Sequence, residues 1–481
     1  MPSGGARSGN RNERRTGRPS PFGILDSSRE RSRSERVEDS IRARKGFASE
    51  TFTPLSGVRR PVVRGDYGEE KRRQPEEKIR LFVFGQGLSF DYGVLILTFI
   101  LMVVGLLMVL SASSYEGIVR SSDSLAEFRN QALWAAIGFS LMLLLMNIDY
   151  RVLKKTWVVG TGVGVTLLML VAVVALPKVV SGPPIWSPYV NYSHRWLRVG
   201  TSTAFLSVQP SEIAKITLIL FLSWFFDRRA GHMKSLTKTI IPALAVAGSY
   251  AGLILLQPNL STLGAILIVT LLMMYVAGSS WWVNTGLIAA GVGFIVTVLQ
   301  FMPDRLKRYT SFRDPWAVAQ GDGWQLIQSY FALANGRWAG TGIGMSRQKL
   351  LFLPYSSSDF IFAIVGEELG FIGASVILIG FMLLIFFGIR VALNAQDRFG
   401  CYLASGTTMM LAVQVVINIL VVTGWMPTTG LPLPFFTAGG TTLMIFLCSM
   451  GLLLSVSRRK NAFVRKLGFG SARQSGLKSA L

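Results

Sequence analysis

Residues 353–371 read LPYSSSDFIFAIVGEELGF: three serines, Ser356, Ser357 and Ser358, then Asp359, then an apolar run holding Glu367 and Glu368. A carboxylate at the edge of a membrane segment costs roughly 2.5–3.5 kcal/mol to bury even on lenient insertion scales, so its presence needs a reason. One reason is structural: a helix N-terminus stabilises a carboxylate through its free backbone N–H groups and its dipole. The other is chemical: an ionised carboxylate at the membrane surface can take a proton from an attacking hydroxyl.

Other groups could share that chemistry. Glu212 and Lys215 in QPSEIAK are three apart and occupy one helix face, with Pro210 suited to the first turn. They read either as an ion pair shielded from lipid or as a charged cavity wall with Lys215 facing an anion. Arg195 and Arg198 flank Trp196 in HRWLRVG, as a headgroup-level anchor or as anion ligands. Gln325, Gln328 and Ser329 in GDGWQLIQS have helical spacing and could bond sugar hydroxyls or cap a re-entrant segment. Gly340, Gly342 and Gly344 permit close backbone approach, and no strand precedes them as a dinucleotide motif requires. The loop that holds them is basic, with Arg305, Lys307, Arg308, Arg313, Arg337, Arg347 and Lys349, which suggests an anionic ligand. Residues 427–441, PTTGLPLPFFTAGGT, break helix, and irregular backbone at membrane depth is tolerated only against protein or a watery cavity.

The elements that must position these residues are membrane helices. The chain has 481 residues, of which 50% are hydrophobic, and a mean hydropathy of +0.44. Apolar runs near 92–110, 132–146, 157–176, 210–226, 240–256, from the QPNLST break to about 277, 283–301, from 360, from 402 and 441–456 predict about ten transmembrane helices. The fold class is therefore all-α integral membrane, with a large extracytoplasmic loop between helices seven and eight. That loop of roughly fifty-five residues exceeds ordinary connections and is expected to be functional. Residues 1–85 are too polar and charged to bury a core and predict a disordered basic tail; 86–460 form the polytopic domain, and 461–481 a second basic tail. The net charge of +23 sits largely in those tails and in short loops. Beside a membrane core it indicates the cytoplasmic side and anionic lipid rather than nucleic acid. Arg151, Lys154, Lys155, Arg228, Arg229, Lys234, Lys238, Arg390, Arg398, Arg458, Arg459 and Lys460 are assigned to that side with both termini, which turns Asp359 outward. His194, His232, Cys401 and Cys448 are too few and too apolar in setting for a disulfide framework or a His/Cys zinc site.

The stretches VLSASS, RWLRVG, QPSEIAK, GDGWQLIQS with GTGIGMSRQKL, DFIFAIVGEELGF and PTTGLPLPF followed by GGT, in this order and spacing, resemble the SEDS family of bacterial cell-wall polymerases, the FtsW, RodA and SpoVE group. The resemblance covers about residues 88–460 and leans to the division-type, FtsW-like members. It implies a peptidoglycan glycosyltransferase of the bacterial cytoplasmic membrane that polymerises lipid II, the undecaprenyl-pyrophosphate disaccharide-pentapeptide. It also implies a class B penicillin-binding protein transpeptidase as partner, together with other divisome membrane proteins. The family's essential aspartate falls on Asp359, the Glu and Lys of its QPSE-x-x-K motif on Glu212 and Lys215, and its Arg before Trp on Arg195. The sequence departs where the family often has Glu and His before the aspartate, here Tyr355 and Ser357. It departs again at E-P-D-x-G-T, here with Gln257 and Asn259, and at S-Y-G-G, here 437–440 TAGG.

The chemistry agrees with a single prominent carboxylate. A sugar hydroxyl attacks an anomeric carbon as a pyrophosphate leaves without a proton, so one base suffices, unlike the paired carboxylates of glycosidases. Cations must meet the departing charge, from Lys or Arg alone or with a divalent metal (Mg or Mn) beside them. Two other readings stand beside the polymerase. Ten helices also suit a lipid II flippase or transporter, although no inverted repeat or midplane charge is visible. A non-catalytic divisome scaffold would not need Asp359.

Overall fold

The computed structural model describes residues 90–178, 182–190, 193–201, 205–301, 311–321 and 323–458. The tails read from the sequence, and with them Arg305, Lys307, Arg308, Arg459 and Lys460, lie outside these. The described chain is mostly helical: α1 (Tyr92–Ser121), α2 (Ala126–Asn147), α3 (Thr156–Ala175), α4 (Pro210–Arg228), α5 (Ile241–Leu255), α6 (Leu260–Val276), α7 (Trp281–Phe301), α8 (Trp324–Gly336), α9 (Ile361–Leu393), α10 (Arg398–Val422) and α11 (Gly440–Arg458). A helix thus occupies each of the ten apolar stretches. Seven of them are long and apolar enough to cross a membrane, namely α1, α2, α3, α5 with the turn before it, α9, α10 and α11.

Local chemistry sets the ends. The Gly93 N–H donates to Asp91 at the start of α1, and the Thr262 N–H donates to Asn259 at the start of α6. Pro210 opens α4 with Glu212 in the first turn, where its charge complements the dipole. α10 lies between α4, α6 and α9, and α11 packs along α2, so these two carry the most protected faces. Three of the basic residues assigned to one side lie at helix ends and are tied there to neighbouring elements. Lys154 pairs with Asp227 at 2.6 Å, Arg228 donates to Thr156 at 2.8 Å, and Arg458 donates to Asn147 at 2.8 Å.

Three features differ from the hydropathy reading. α1 continues past SASS to Ser121, because apolar patterning ends where lipid ends while backbone hydrogen bonding does not. The loop at 177–208 carries short antiparallel strands. Ile185–Trp186 (β1), Leu197–Gly200 (β4) and Phe205–Val208 (β5) form one sheet, and Tyr189–Val190 (β2) pairs with Ser193–His194 (β3). α9 is two helices in one: Gly370, at φ 68° and ψ −172°, separates a buried half-helix, 361–369, from the span that follows. α8, inside the long loop, packs against it.

Candidate functional site

Asp359 sits in the turn that leads into α9, half-buried, between buried Ser357 and Phe360. It is not the helix cap: Phe360 holds that position, and its side chain makes no capping bond. The carboxylate instead faces the irregular stretch before α11, where a Cβ built on Gly430 would lie 3.5 Å from Oδ2 of Asp359. The Gly430 N–H donates to Oγ of Ser261 at 3.4 Å, bringing the start of α6 to the same point. Nδ2 of Asn418, on α10, donates both to the Asp359 carbonyl at 2.8 Å and to the Leu431 carbonyl at 2.9 Å.

Glu212 and Lys215 form the ion pair their spacing predicts, Nζ to Oε1 at 2.7 Å, with side chains 3% and 2% exposed. Lys215 also donates to Oε1 of Gln414 at 3.0 Å and lies over the Phe446 ring. Nε2 of Gln414 donates onward to the Pro432 carbonyl at 2.8 Å. The wall that carries Lys215 therefore meets the 430–432 backbone at Pro432, two residues from Gly430, which Asp359 faces. Glu212 keeps its second oxygen buried without a donor.

Arg195 approaches from the strand loop. Its Nε donates to the Gln257 carbonyl at 3.2 Å and a terminal nitrogen to the Pro258 carbonyl at 2.8 Å, which holds the bend between α5 and α6. That bend also carries Asn259 and Ser261. Arg198 lies on β4 opposite Trp186 and Ser207, partly buried.

The remaining candidates belong to the long loop and α8. Gln325 donates to the Pro354 carbonyl at 3.3 Å and Ser329 to the Val422 carbonyl at 2.8 Å, so α8 is tied to the loop before Asp359 and to the end of α10. Gln328 is buried on the same helix. Lys349 lies elsewhere, in a buried knot at the kink. Its Nζ is 3.1 Å from Oε1 of Glu368 and bonds Ser111 and the Gly344 carbonyl. Glu367 beside it accepts from Asn335, Ser346 and the N–H groups of Arg347 and Gln348. Gly340 permits this closure: its φ is +82°, and a Cβ there would come within 2.1 Å of the Glu368 carbonyl oxygen.

Sequence reasoning passed over Gln414 and Asn418. Their signal is visible in retrospect as two amides one turn apart in the apolar half of the span, 409–422. Among the described residues no three of His, Cys, Asp and Glu gather. A divalent cation at Asp359 would draw on that carboxylate and on oxygens brought by a substrate, as magnesium does at phosphate sites.

Comparison with known proteins places these contacts in context. The family model described as "Cell cycle protein", the FtsW/RodA/SpoVE model, matches residues 92–462. Stage V sporulation protein E of Bacillus subtilis is 40% identical over 373 residues, spanning 77% of this chain and 97% of its own. A probable peptidoglycan glycosyltransferase FtsW of Geobacter sp. (strain M18) is 36% identical, spanning 77% of this chain and 97% of its own. Among solved structures, one of a peptidoglycan synthase complex coordinating polymerization and crosslinking superposes with a TM-score of 0.61 at 26% identity, covering 78% of this chain and 99% of the other. The rod shape determining protein RodA of Thermus thermophilus shares the fold at a TM-score of 0.55 and 24% identity, covering 78% of this chain and 98% of the other.

Proposed function

This chain belongs to the FtsW/RodA/SpoVE family and is a multi-pass membrane peptidoglycan glycosyltransferase, and on that premise we propose that it polymerises lipid II with Asp359 as general base. The observation that carries the reading is the convergence on 430–432: the carboxylate of Asp359 faces Gly430, and the Glu212–Lys215 wall is bonded through Gln414 to Pro432. A lone carboxylate and a cationic wall beside an irregular membrane-depth segment suit transfer from a pyrophosphate donor.

In the proposed step the hydroxyl oxygen of one sugar forms a bond to the anomeric carbon of another. The hydroxyl proton passes to the Asp359 carboxylate. The bond from that carbon to the pyrophosphate breaks, and the electron pair leaves with the pyrophosphate. Lys215 and Arg195 give the surrounding wall positive charge where that anion develops. A divalent cation, when bound, would add charge neutralisation at the phosphate; Asp359 is the residue that would hold it. α8, with Gln325, Gln328 and Ser329, and the basic residue Arg198 belong to the outer region that receives the donor headgroup, whereas Lys349 serves the kink. The face carrying Asp359 is extracytoplasmic, both termini are cytoplasmic, and the ten helices each cross the membrane. A class B penicillin-binding protein that crosslinks the nascent strand is the expected partner, with other division proteins around it.

The test is polymerisation of labelled lipid II by the purified full-length chain, alone and with its transpeptidase, beside the Asp359→Asn variant. Polymer from the wild type and none from the variant at equal folded concentration is the expected result. Near-normal polymer from Asp359→Asn would sink the base assignment.

A further inference from the structure

Gln414 and Asn418 carry no charge of their own, yet they hold the two parts of the site in register. The segment they grip, LPLP at 431–434, has few main-chain options. Pro432 and Pro434 carry no N–H, and a residue before proline is held extended, so carbonyls here need partners from outside a helix or sheet. The two amides supply them. They lie four apart on α10, on one face, 0% and 1% exposed. Asn418 uses both hydrogens of Nδ2, one on the Leu431 carbonyl at 2.9 Å and one on the Asp359 carbonyl at 2.8 Å. Gln414 uses its two ends differently: Nε2 donates to the adjacent carbonyl of Pro432 at 2.8 Å, and Oε1 accepts from Lys215 at 3.0 Å.

We propose that Gln414 and Asn418 form an amide ladder that sets the spacing between the base, Asp359, and the cation, Lys215, through adjacent carbonyls of one extended segment. Both are positioning residues; neither need touch substrate. The inference rests on the reading of Asp359 and Lys215 given above. Residue type matters. Aspartate at 418 has the size of asparagine and no hydrogen to give, so it would set an oxygen against two carbonyl oxygens. Leucine at 414 keeps the bulk and loses both bonds. Misplacement of a reacting group by about 1 Å can lower a rate by about 100-fold.

The experiment measures kcat and KM for labelled lipid II with the purified full-length chain in vesicles, at matched folded concentration by gel filtration. The variants are Asn418→Asp, Asn418→Leu, Gln414→Leu and the double leucine variant. Each single variant is expected to lower kcat by about 10- to 100-fold with KM within about 3-fold. The double variant is expected to be no slower than the slower single, because both act through one segment. Thr407→Val, which removes another buried α10 hydroxyl bonded to the Leu403 carbonyl at 3.0 Å, should keep wild-type kcat. Wild-type kcat in the Asn418 variants, or single effects that multiply in the double, would overturn the ladder. Asp359→Asn run in the same series separates the two ideas. If it is inactive while the Asn418 variants are normal, the ladder alone fails. If Asp359→Asn itself polymerises normally, the base reading fails and the ladder's role goes with it.

Discussion

Two buried charge clusters lie at opposite ends of the half-helix 361–369, and they are satisfied to different degrees. At the Gly370 end every carboxylate oxygen of Glu367 and Glu368 has a donor, and Lys349 balances one charge. At the Asp359 end, Oε2 of Glu212, Oε1 of Gln257, Oδ1 of Asn418 and Oγ1 of Thr429 are buried with no donor. A buried polar atom left without a partner costs about 1–3 kcal/mol. A cluster whose task is to hold the chain together completes the bonds of its charged groups, as the kink knot does while leaving the neutral Oε1 of Gln348 without a donor. A cluster that must receive something else leaves acceptors open. The difference fits the proposed function, with a structural role at one end of the half-helix and the chemistry at the other.

The largest expected effect is at the chemical end. Asp359→Asn should lower lipid II polymerisation by at least ~100-fold while the protein elutes and melts as wild type. A melting point lowered as far as that of a knot variant would erase the distinction between the two ends. Next comes the charge swap. Glu212→Lys and Lys215→Glu should each remove most activity, and the swapped double should stay inactive, because a carboxylate would then stand where positive charge is needed. Lys215→Arg should keep part of the rate. Polymerisation restored by the swap would move this pair into the structural class.

At the other end the readout is stability. Glu368→Gln leaves Lys349 buried and unpaired, which should destabilise by about 3–5 kcal/mol. The folded fraction should polymerise at a near-normal specific rate; a folded but inactive Glu368→Gln would show that the knot does more than hold the kink. Gly340→Ala should lower the melting point by a smaller amount, with a positive φ and a carbonyl both in the way, worth more than about 1 kcal/mol. The smallest effect is expected from a truncation starting near Phe84, whose specific activity in detergent should match the full chain. A well-folded truncation that loses activity would add a third region to the comparison.

Much of this was legible in the sequence, for reasons that can be named. The helices followed from apolar runs because lipid leaves backbone few alternatives. The Glu212–Lys215 pair followed from a spacing of three, and the close approach at Gly340 from residue type. The kink at Gly370 was not legible, since GEELGF reads as continuous helix and only the backbone of 338–342 packed beside it reveals the break. α8 was hidden because the surrounding loop reads as polar, although its spacing was helical. The strands of 185–208 are two to four residues long, too short for alternation to register. Gln414 and Asn418 were missed because an amide in a span announces nothing until its carbonyl partners, far along the chain, are known.

The order in which those partners occur along the chain has a consequence for biogenesis. Everything that satisfies Glu367 and Glu368 precedes them: Ser111, Asn335, Ser346 and Lys349 are all synthesised before α9 emerges. The kink can therefore close as soon as it is made, and its two carboxylates need not wait in lipid. Asp359 and Lys215 are in the opposite position. The ties that join them to each other, through Gln414, Asn418, Leu431 and Pro432, come from the last fifth of the chain, so the Glu212–Lys215 wall on α4 awaits its neighbour across several helices of translation. A ribosome stalled before α10 would leave a nascent chain with its scaffold set and its site still open.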